Sequence, residues 1–459
     1  MRRILLSSLA LVTACATPPP AQPPRVELPA AWKETAPRFA DDGRWWRIYQ
    51  DAQLEGLVDE AIARNTDLVI AVARVDEARA LVADARGAQM PVIDARAGAQ
   101  RQQNSKSTAT FFPGIPTQYS DYRATLNVSW ELDLFGRLRS VAAAASADLQ
   151  ASEAARDAVR LALTAQVVKS YFALRAFDEQ LAMTHRNVNL RQDALGLQRR
   201  RFDAGVISEF ELRQLEAETA AVRAQLPPLQ RSREQEEAAL AVLLGRSPRE
   251  IIETEVKRTD SFDQSLEPAV VPAGLPSELL LRRPDLVEAE RRLAAAHARI
   301  DAARADLFPS IVLTGIAGRE SASLSNLFSG PAGLYLLAAS LTQPIFAGGR
   351  LEARTDAARA RERQALAQYQ KSIQNAFSEV RAAIAGQARS RESFEAESAR
   401  EKALGQTLHL AQLRYQNGIA SQLDVIDAER GLLSARIARI EALRAQRAAI
   451  ADLFRALGG

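Results

Sequence analysis

The chain is poor in most of what marks an enzyme or a metal protein. It has one cysteine in 459 residues, so no disulfide can form within it. Its three histidines, His185, His297 and His409, stand far apart, and none has a His or Cys partner at ligand spacing. They read as helix-surface residues, with no metal site implied. The serine-rich stretch 321–329 lacks a Gly-x-Ser-x-Gly elbow and reads as a loop. Ala347-Gly348-Gly349-Arg350 lacks the lysine and Ser/Thr of a phosphate-binding loop and reads as a turn between strand and helix. Aromatic residues make up only 6%, which argues against a compact aromatic core. Basic and acidic residues nearly cancel, 59 against 56, and are interspersed, so the chain carries no footprint for nucleic acid. The expectation is a protein that is no enzyme and holds no cofactor.

What is present begins at the N-terminus. Arg2 and Arg3 precede an apolar run from Ile4 to Val12, and Val12-Thr13-Ala14-Cys15 resembles a bacterial lipobox. Residues 1–14 therefore read as a lipoprotein signal peptide, with Cys15 as the lipidated start of the mature chain. Residues 15–29 read as a proline-rich tether that holds a body off a membrane. Ala16 is not the aspartate that commonly retains such lipoproteins at the inner membrane, so sorting to the outer membrane is expected.

Beyond the tether the chain repeats itself. RYQNGIASQLDVIDAE, starting at Arg414, has a worn copy in RFDAGVISEFELRQLE, starting at Arg201. Arg201, Gly205, Val206 and Ser208 fall on Arg414, Gly418, Ile419 and Ser421, an offset of 213 that also relates Leu240, Leu244 and Gly245 to Leu453, Leu457 and Gly458. Upstream the offset is 218, relating Asp67-Leu68-Val69 to Asp285-Leu286-Val287 and Pro91 to Pro309. A variable loop is expected between Pro91 and Arg137, where the offset changes. The resulting organisation is a first repeat over 30–250, a linker over 251–280 and a second repeat over 281–459.

Each repeat reads as a helix, two strand-like runs, a very long helix, a glycine-containing corner and a returning helix. Strands are expected at about 90–101, 122–134, 309–318 and 335–346, and helical hairpins at about 141–245 and 352–457. In 122–134 the even positions Tyr122, Ala124, Leu126, Val128, Trp130, Leu132 and Leu134 oppose Arg123, Thr125, Asn127, Ser129, Glu131 and Asp133. Such strict alternation gives one apolar and one polar face, and its length suits a tilted membrane-spanning strand. Tyr122, Leu126, Val128, Trp130, Leu132, Leu337 and Leu341 are the candidate membrane-facing residues. Four strands cannot close a barrel, because the smallest need about eight, and an open edge in lipid is forbidden. Other copies must complete it. Two would leave the interior packed shut, whereas three give twelve strands and room for a lumen. The long helices, about 141–201 and 352–415, contain no proline. At 1.5 Å per residue each spans roughly 90 Å. Pro227-Pro228 marks a kink in the first returning helix that has no equivalent at Ile440 and Glu441.

At this point the residues resemble a known family, the TolC-like outer-membrane efflux channels, specifically the lipoprotein branch serving resistance–nodulation–division pumps. The resemblance rests on the lipobox, Trp45-Trp46 with Asp51 and Leu54, Asn65-Thr66-Asp67-Leu68, and Trp130-Glu131-Leu132-Asp133-Leu134-Phe135-Gly136. It also rests on Leu281-Arg282-Arg283-Pro284-Asp285-Leu286, Gln343-Pro344-Ile345-Phe346 and the two Arg-(Phe/Tyr)-x-x-Gly corners. It implies a mainly α chain with a membrane β-barrel. Such a protein is a homotrimer whose twelve-stranded barrel, four strands per chain, continues as a long helical tunnel through the periplasm. A small mixed equatorial domain, including 30–50 and 251–276, surrounds that tunnel.

The resemblance further implies an exit duct in the outer membrane, lipid-anchored and reaching into the periplasm of a Gram-negative bacterium. A periplasmic adaptor and an inner-membrane pump would be its partners, and outer-membrane lipid its surroundings. The corners would form the periplasmic tip, where the adaptor docks and an iris-like gate opens. Asp424 and Asp427 match aspartates that ring the constriction, Tyr415 matches a tyrosine that closes the tip, and Glu211 takes the acidic position of the first corner. The family's basic partner there is absent, since Ala420 occupies its place. Two alternatives stay open at this stage: an adaptor or structural coiled-coil lipoprotein without a pore, and a duct for type I protein secretion.

Overall fold

The computed structural model of the chain describes residues 43–107, 114, 116–259 and 282–459. Cys15, the signal peptide, the tether, most of the 30–50 segment and residues 260–281 of the linker lie outside them. Part of the expected variable loop does too. The elements run α1 (Ala52–Arg64), α2 (Thr66–Gly87), β1 (Val92–Gln103), β2 (Gln118–Leu132), α3 (Arg137–Asp203), α4 (Glu209–Arg223), α5 (Leu226–Leu243) and α6 (Pro248–Glu253). There follow α7 (Pro284–Ala305), β3 (Ser310–Ser321), β4 (Gly333–Thr342), α8 (Arg350–Gln416) and α9 (Gln422–Leu457). No described helix is long and apolar enough to cross a membrane.

The two compact units of the chain do not follow the two repeats. One gathers Glu77–Gln150 with Ala289–Gln370, and the other gathers the described residues of 43–76, 151–288 and 371–459. The division into 30–250 and 281–459 is thus a division of sequence and not of packing. The physical reason is the sheet, which takes two strands from each repeat and joins them through an antiparallel β2–β3 pair.

In the first unit the sheet has the order β1-β2-β3-β4, all antiparallel. Directly opposed residues share a face, so the register decides what each face carries. Leu126 lies opposite Ala95 and Ala317, Val128 opposite Ile93 and Gly315, and Trp130 opposite Leu313. Leu337 lies opposite Gly315, and Leu341 opposite Ile311, which also opposes Leu132. All the candidate membrane-facing residues therefore fall on one continuous apolar face. Tyr122 joins it beside Ala99.

The other face carries Asp94, Arg96, Arg123, Asn127, Glu320 and Ser340 by the same register, with Ile316 and Leu336 blurring it in the second repeat. Asn127 donates to Asp94 (3.1 Å) and Arg123 pairs with Glu320 (2.9 Å), so its charges are engaged across strands. Gly318 is required by close approach: a Cβ there would stand 2.2 Å from the Ala124 carbonyl oxygen.

Two strands end earlier than their alternation suggests. β2 stops at Leu132 because Asp133 turns to cap α3, accepting from the N–H groups of Leu138 (3.1 Å) and Arg139 (2.8 Å). β4 stops at Thr342. Pro344 has no N–H for a ladder, and Gln343 Nε2 donates instead to the Leu307 and Pro344 carbonyls. Several resemblance residues thus do structural work at the strand–helix junctions. Glu131 takes a bidentate bond from Arg137, Trp130 Nε1 donates to the Gln89 carbonyl, and Phe135 stacks on Phe308.

The second unit holds the main core, built from α1, α3, α5, α8 and α9 around Trp45, Trp46, Tyr49, Leu54, Tyr171 and Phe454. Asp51 is its polar knot. It caps α1 through Gln53 and Leu54 N–H groups and accepts from Tyr171 Oη (2.6 Å), Thr259 Oγ1 (3.0 Å) and Arg175 Nη1 (3.1 Å). Burial works against its ionisation, but those hydrogen bonds and the Arg175 charge prevail and hold its carboxyl below the usual range.

The duplication is visible as packing. Asn65 Nδ2 donates to the Leu243 carbonyl (2.9 Å), and at the equivalent place Arg283 Nη1 donates to the Ala456 carbonyl (2.8 Å). Gly245 and Gly458, both with positive φ, end the returning helices against the backbone of Arg64-Asn65 and Arg282-Arg283. The break at the Pro227-Pro228 pair is real: α4 ends at Arg223 and α5 starts at Leu226, while α9 runs unbroken for 36 residues. The proline-free helices α3 and α8 are 67 residues each.

Candidate functional site: the two helical corners

Both corners are built by the same local chemistry. The last turn of α3 closes in a Schellman motif, with Val206 N bonded to the Arg201 carbonyl (2.8 Å) and Gly205 N to that of Phe202 (2.8 Å). α8 ends identically, with Ile419 N on Arg414 O (2.8 Å) and Gly418 N on Tyr415 O (3.0 Å). Gly205 and Gly418 both have φ +71°, which only glycine adopts without strain. Three residues later a capping box opens the returning helix. Ser208 pairs reciprocally with Glu211 to start α4, and Ser421 with Asp424 to start α9. The chain reverses here because a left-handed glycine and a capping serine stand three residues apart in each copy.

This geometry gives Asp424 a part that the sequence did not reveal. Its Oδ2 accepts from Ser421 N (2.7 Å) and Ser421 Oγ (2.8 Å). The Ser421 hydroxyl, then its N–H, with help from Arg414, hold the Asp424 carboxyl below its usual range. It therefore stays ionised to lower pH than a free aspartate, and its Oδ1 has no hydrogen-bond partner among the described residues. Asp427 bonds Arg430 one turn on (2.6 Å), an exposed pair worth little in water. Glu211 is likewise bonded to Ser208, through N (2.9 Å) and Oγ (3.1 Å).

The two corners are tied together. Arg201 Nη1 donates to Tyr415 Oη (3.2 Å), and Gln198 Nε2 donates to Gln422 Oε1 (3.2 Å). Arg201, expected only as a turn residue, thus meets the tyrosine expected to close the tip. Val206 and Ile419 are exposed, and so are Phe210 and Leu423 in the first turns of α4 and α9. Sequence reading passed over the last two. Their signal was present, since they are aligned apolar residues just beyond each capping serine. His185 and His409 are exposed on their helices, whereas His297 is half-buried against Glu362 (2.7 Å).

Long hairpins with paired reversal corners, on a chain that also contributes a four-stranded sheet with one lipid-compatible face, define a trimeric outer-membrane channel. Three copies of the sheet supply twelve strands. The chain belongs to the outer membrane efflux protein family, whose model matches residues 57–246 and 275–459. It is similar to the toluene efflux pump outer membrane protein TtgC of Pseudomonas putida, with 34% identity over 98% of this chain and 93% of that one. It is also similar to the cation efflux system protein CusC of Escherichia coli K12, with 32% identity over 98% and 97%. The solved open state of the Neisseria gonorrhoeae MtrE outer membrane channel superposes with a TM-score of 0.83 at 33% identity, covering 97% of this chain and 98% of that one. The protein is accordingly an efflux exit duct of the outer membrane, trimeric, and served by adaptor and inner-membrane pump partners from the periplasmic side. A pore-less adaptor is set aside by the same findings.

Proposed function

We propose that the corners are the gate of this duct, that the second corner is the one that opens, and that small molecules handed over by the pump pass through passively. The carrying observation is the Arg201–Tyr415 bond, which joins two corners of the same construction from opposite repeats. One relative is named for toluene and another for cations. A duct that leaves selection to its pump, and does no chemistry of its own, suits that spread.

Asp424 and Asp427 would set the charge at the opening, with six carboxylates in a trimer favouring cations. Because Asp424 also closes a capping box, the test uses asparagine at both positions, which removes charge while keeping shape. Purified Asp424→Asn/Asp427→Asn trimers in planar bilayers should show a cation-to-anion permeability ratio lower by roughly fivefold, about 1 kcal/mol of attraction in a watery pore. An unchanged reversal potential in a salt gradient would count against the ring, and correctly inserted wild-type trimers without conductance at any voltage would count against passive passage through the duct.

The proposal extends to the N-terminus: Cys15 carries the lipid, fastening the chain to the membrane independently of the barrel. Cells fed labelled palmitate should mark the wild-type protein and leave Cys15→Ser unlabelled. Equal labelling of both would refute the anchor.

A further inference from the structure

A few helical turns from the corners, within the second compact unit, α3, α4, α8 and α9 enclose a cavity of about 250 Å3. Its wall is mixed: apolar side chains, including Leu190, Leu215, Ile426 and Leu432, alternate with polar and charged ones. Of the four charged side chains in that wall, Arg191 and Glu429 lack a close hydrogen-bonded ion partner. Arg191 of α3 is only 3% exposed. Its Nε donates to Asn187 Oδ1 (3.0 Å), while its Nη1 has no hydrogen-bond partner among the described residues. Its carboxylate neighbours are Glu218 of α4 at 3.8 Å and Glu429 of α9 at 3.7 Å. Those distances allow attraction but are too long for hydrogen bonds. Glu429, whose side chain is 32% exposed, accepts no hydrogen bond from a described residue. One buried cation is therefore shared between the returning helices of both hairpins, and one half-buried carboxylate depends on it alone.

The other charged groups around the cavity are engaged elsewhere. Arg186 of α3 reaches Glu179 (3.5 Å), and Arg430 of α9 holds Asp427 while lying 4.0 Å from Glu218. Arg436 of α9 bonds Glu401 of α8 (3.2 Å). The α8 residues in the wall, Leu408 and Gln412, are uncharged.

We propose that Glu429 is a positioning residue for the gate, a proton-operated brace: protonation there favours the packed arrangement of α9 against α3, and ionisation favours the opened one. This rests on the corner gate argued above. Burial pushes the Glu429 carboxyl above its ordinary range, and the attraction of Arg191 offsets only part of that push. The packed state therefore binds the proton more tightly than a state in which α9 has moved and Glu429 is hydrated. Below the ordinary range both states are protonated and the packed state keeps its full advantage. As pH rises through the raised pKa, the packed state must hold a half-buried ionised carboxylate that no described residue hydrogen-bonds, and the advantage is lost. Movement of α9 leaves Arg191 beside Glu218, so opening does not strand a buried cation.

The test is the pH profile of opening, from about pH 4 to 8, in bilayer recordings of full-length trimers. Wild type should close as pH falls. Glu429→Gln, a neutral group of the same shape, should open roughly fivefold less often at neutral pH, the low end of ordinary coupling between sites, and its profile should be flat. Glu429→Asp, still ionisable, should keep a pH step, which a change acting through damaged packing would not restore. A Glu429→Gln profile that overlays wild type would overturn the brace. Recording Arg201→Gln/Tyr415→Phe alongside separates the two ideas. If that variant opens more and Glu429→Gln is unchanged, only the brace fails; if it opens no more than wild type, the corner gate fails and the brace with it.

Discussion

Leu126→Arg is expected to leave the outer membrane without trimers, while Ser129→Arg, three residues on and facing the other way, assembles. Leu126 lies near the middle of β2, between Ala95 of β1 and Ala317 of β3, inside an apolar face that all four strands share. A charged residue at the midplane of such a face costs about 2–4 kcal/mol per chain, and three chains multiply it. Ser129 is directed with Asn127 and Glu131 to the opposite face, opposite Thr314 of β3, where a guanidinium can be hydrated. The measurement is the yield of heat-modifiable trimer in outer-membrane fractions. Equal yields from the two variants would mean that the face assigned to lipid is not against lipid.

Gly245→Ala should be the most destabilising single change in the second unit, and clearly worse than Gly458→Ala at the equivalent place. At Gly245 a Cβ would stand 2.2 Å from the Arg64 carbonyl oxygen and 2.5 Å from its carbon, with φ at +69°. Both obstacles are backbone and cannot rotate away. At Gly458 the nearest backbone atoms are 3.1 Å away, so a shift of a few tenths of an ångström suffices. Strain at positive φ together with forced displacement costs Gly245→Ala about 2–5 kcal/mol. Unfolding of a membrane trimer is governed by rate, so the comparison is the temperature at which each variant dissociates at one heating rate. If Gly458→Ala dissociates at the lower temperature, the packing argument is wrong.

Much of the site was legible because it is local. Gly205 with Ser208, and Gly418 with Ser421, spell a helix end and a helix start within a few residues, and both formed where they were read. The Pro227-Pro228 break was legible for the same reason. Asp424 was recognised for its charge, but its capping role depends on a side chain folding back onto Ser421. Glu429 and Arg191 were invisible, since a glutamate and an arginine on long charged helices look like solvated charges until four helices pack together, burying Arg191 and half-burying Glu429 beside it.

By itself, the sequence determined what neighbours along a chain can determine: the duplication, the two-residue period that separates a lipid-compatible face from a polar one, and the reversal corners. Each follows from backbone geometry within a few residues. Only the tertiary structure decided which repeats share a sheet, that the compact units cross the duplication, and that Arg201 meets Tyr415 from 214 residues away. It alone placed Gly245 against Arg64 and left one buried cation between two hairpins. Those outcomes depend on close packing between distant segments, where tenths of an ångström and the absence of water settle which contact is possible, and no periodicity along the chain records them.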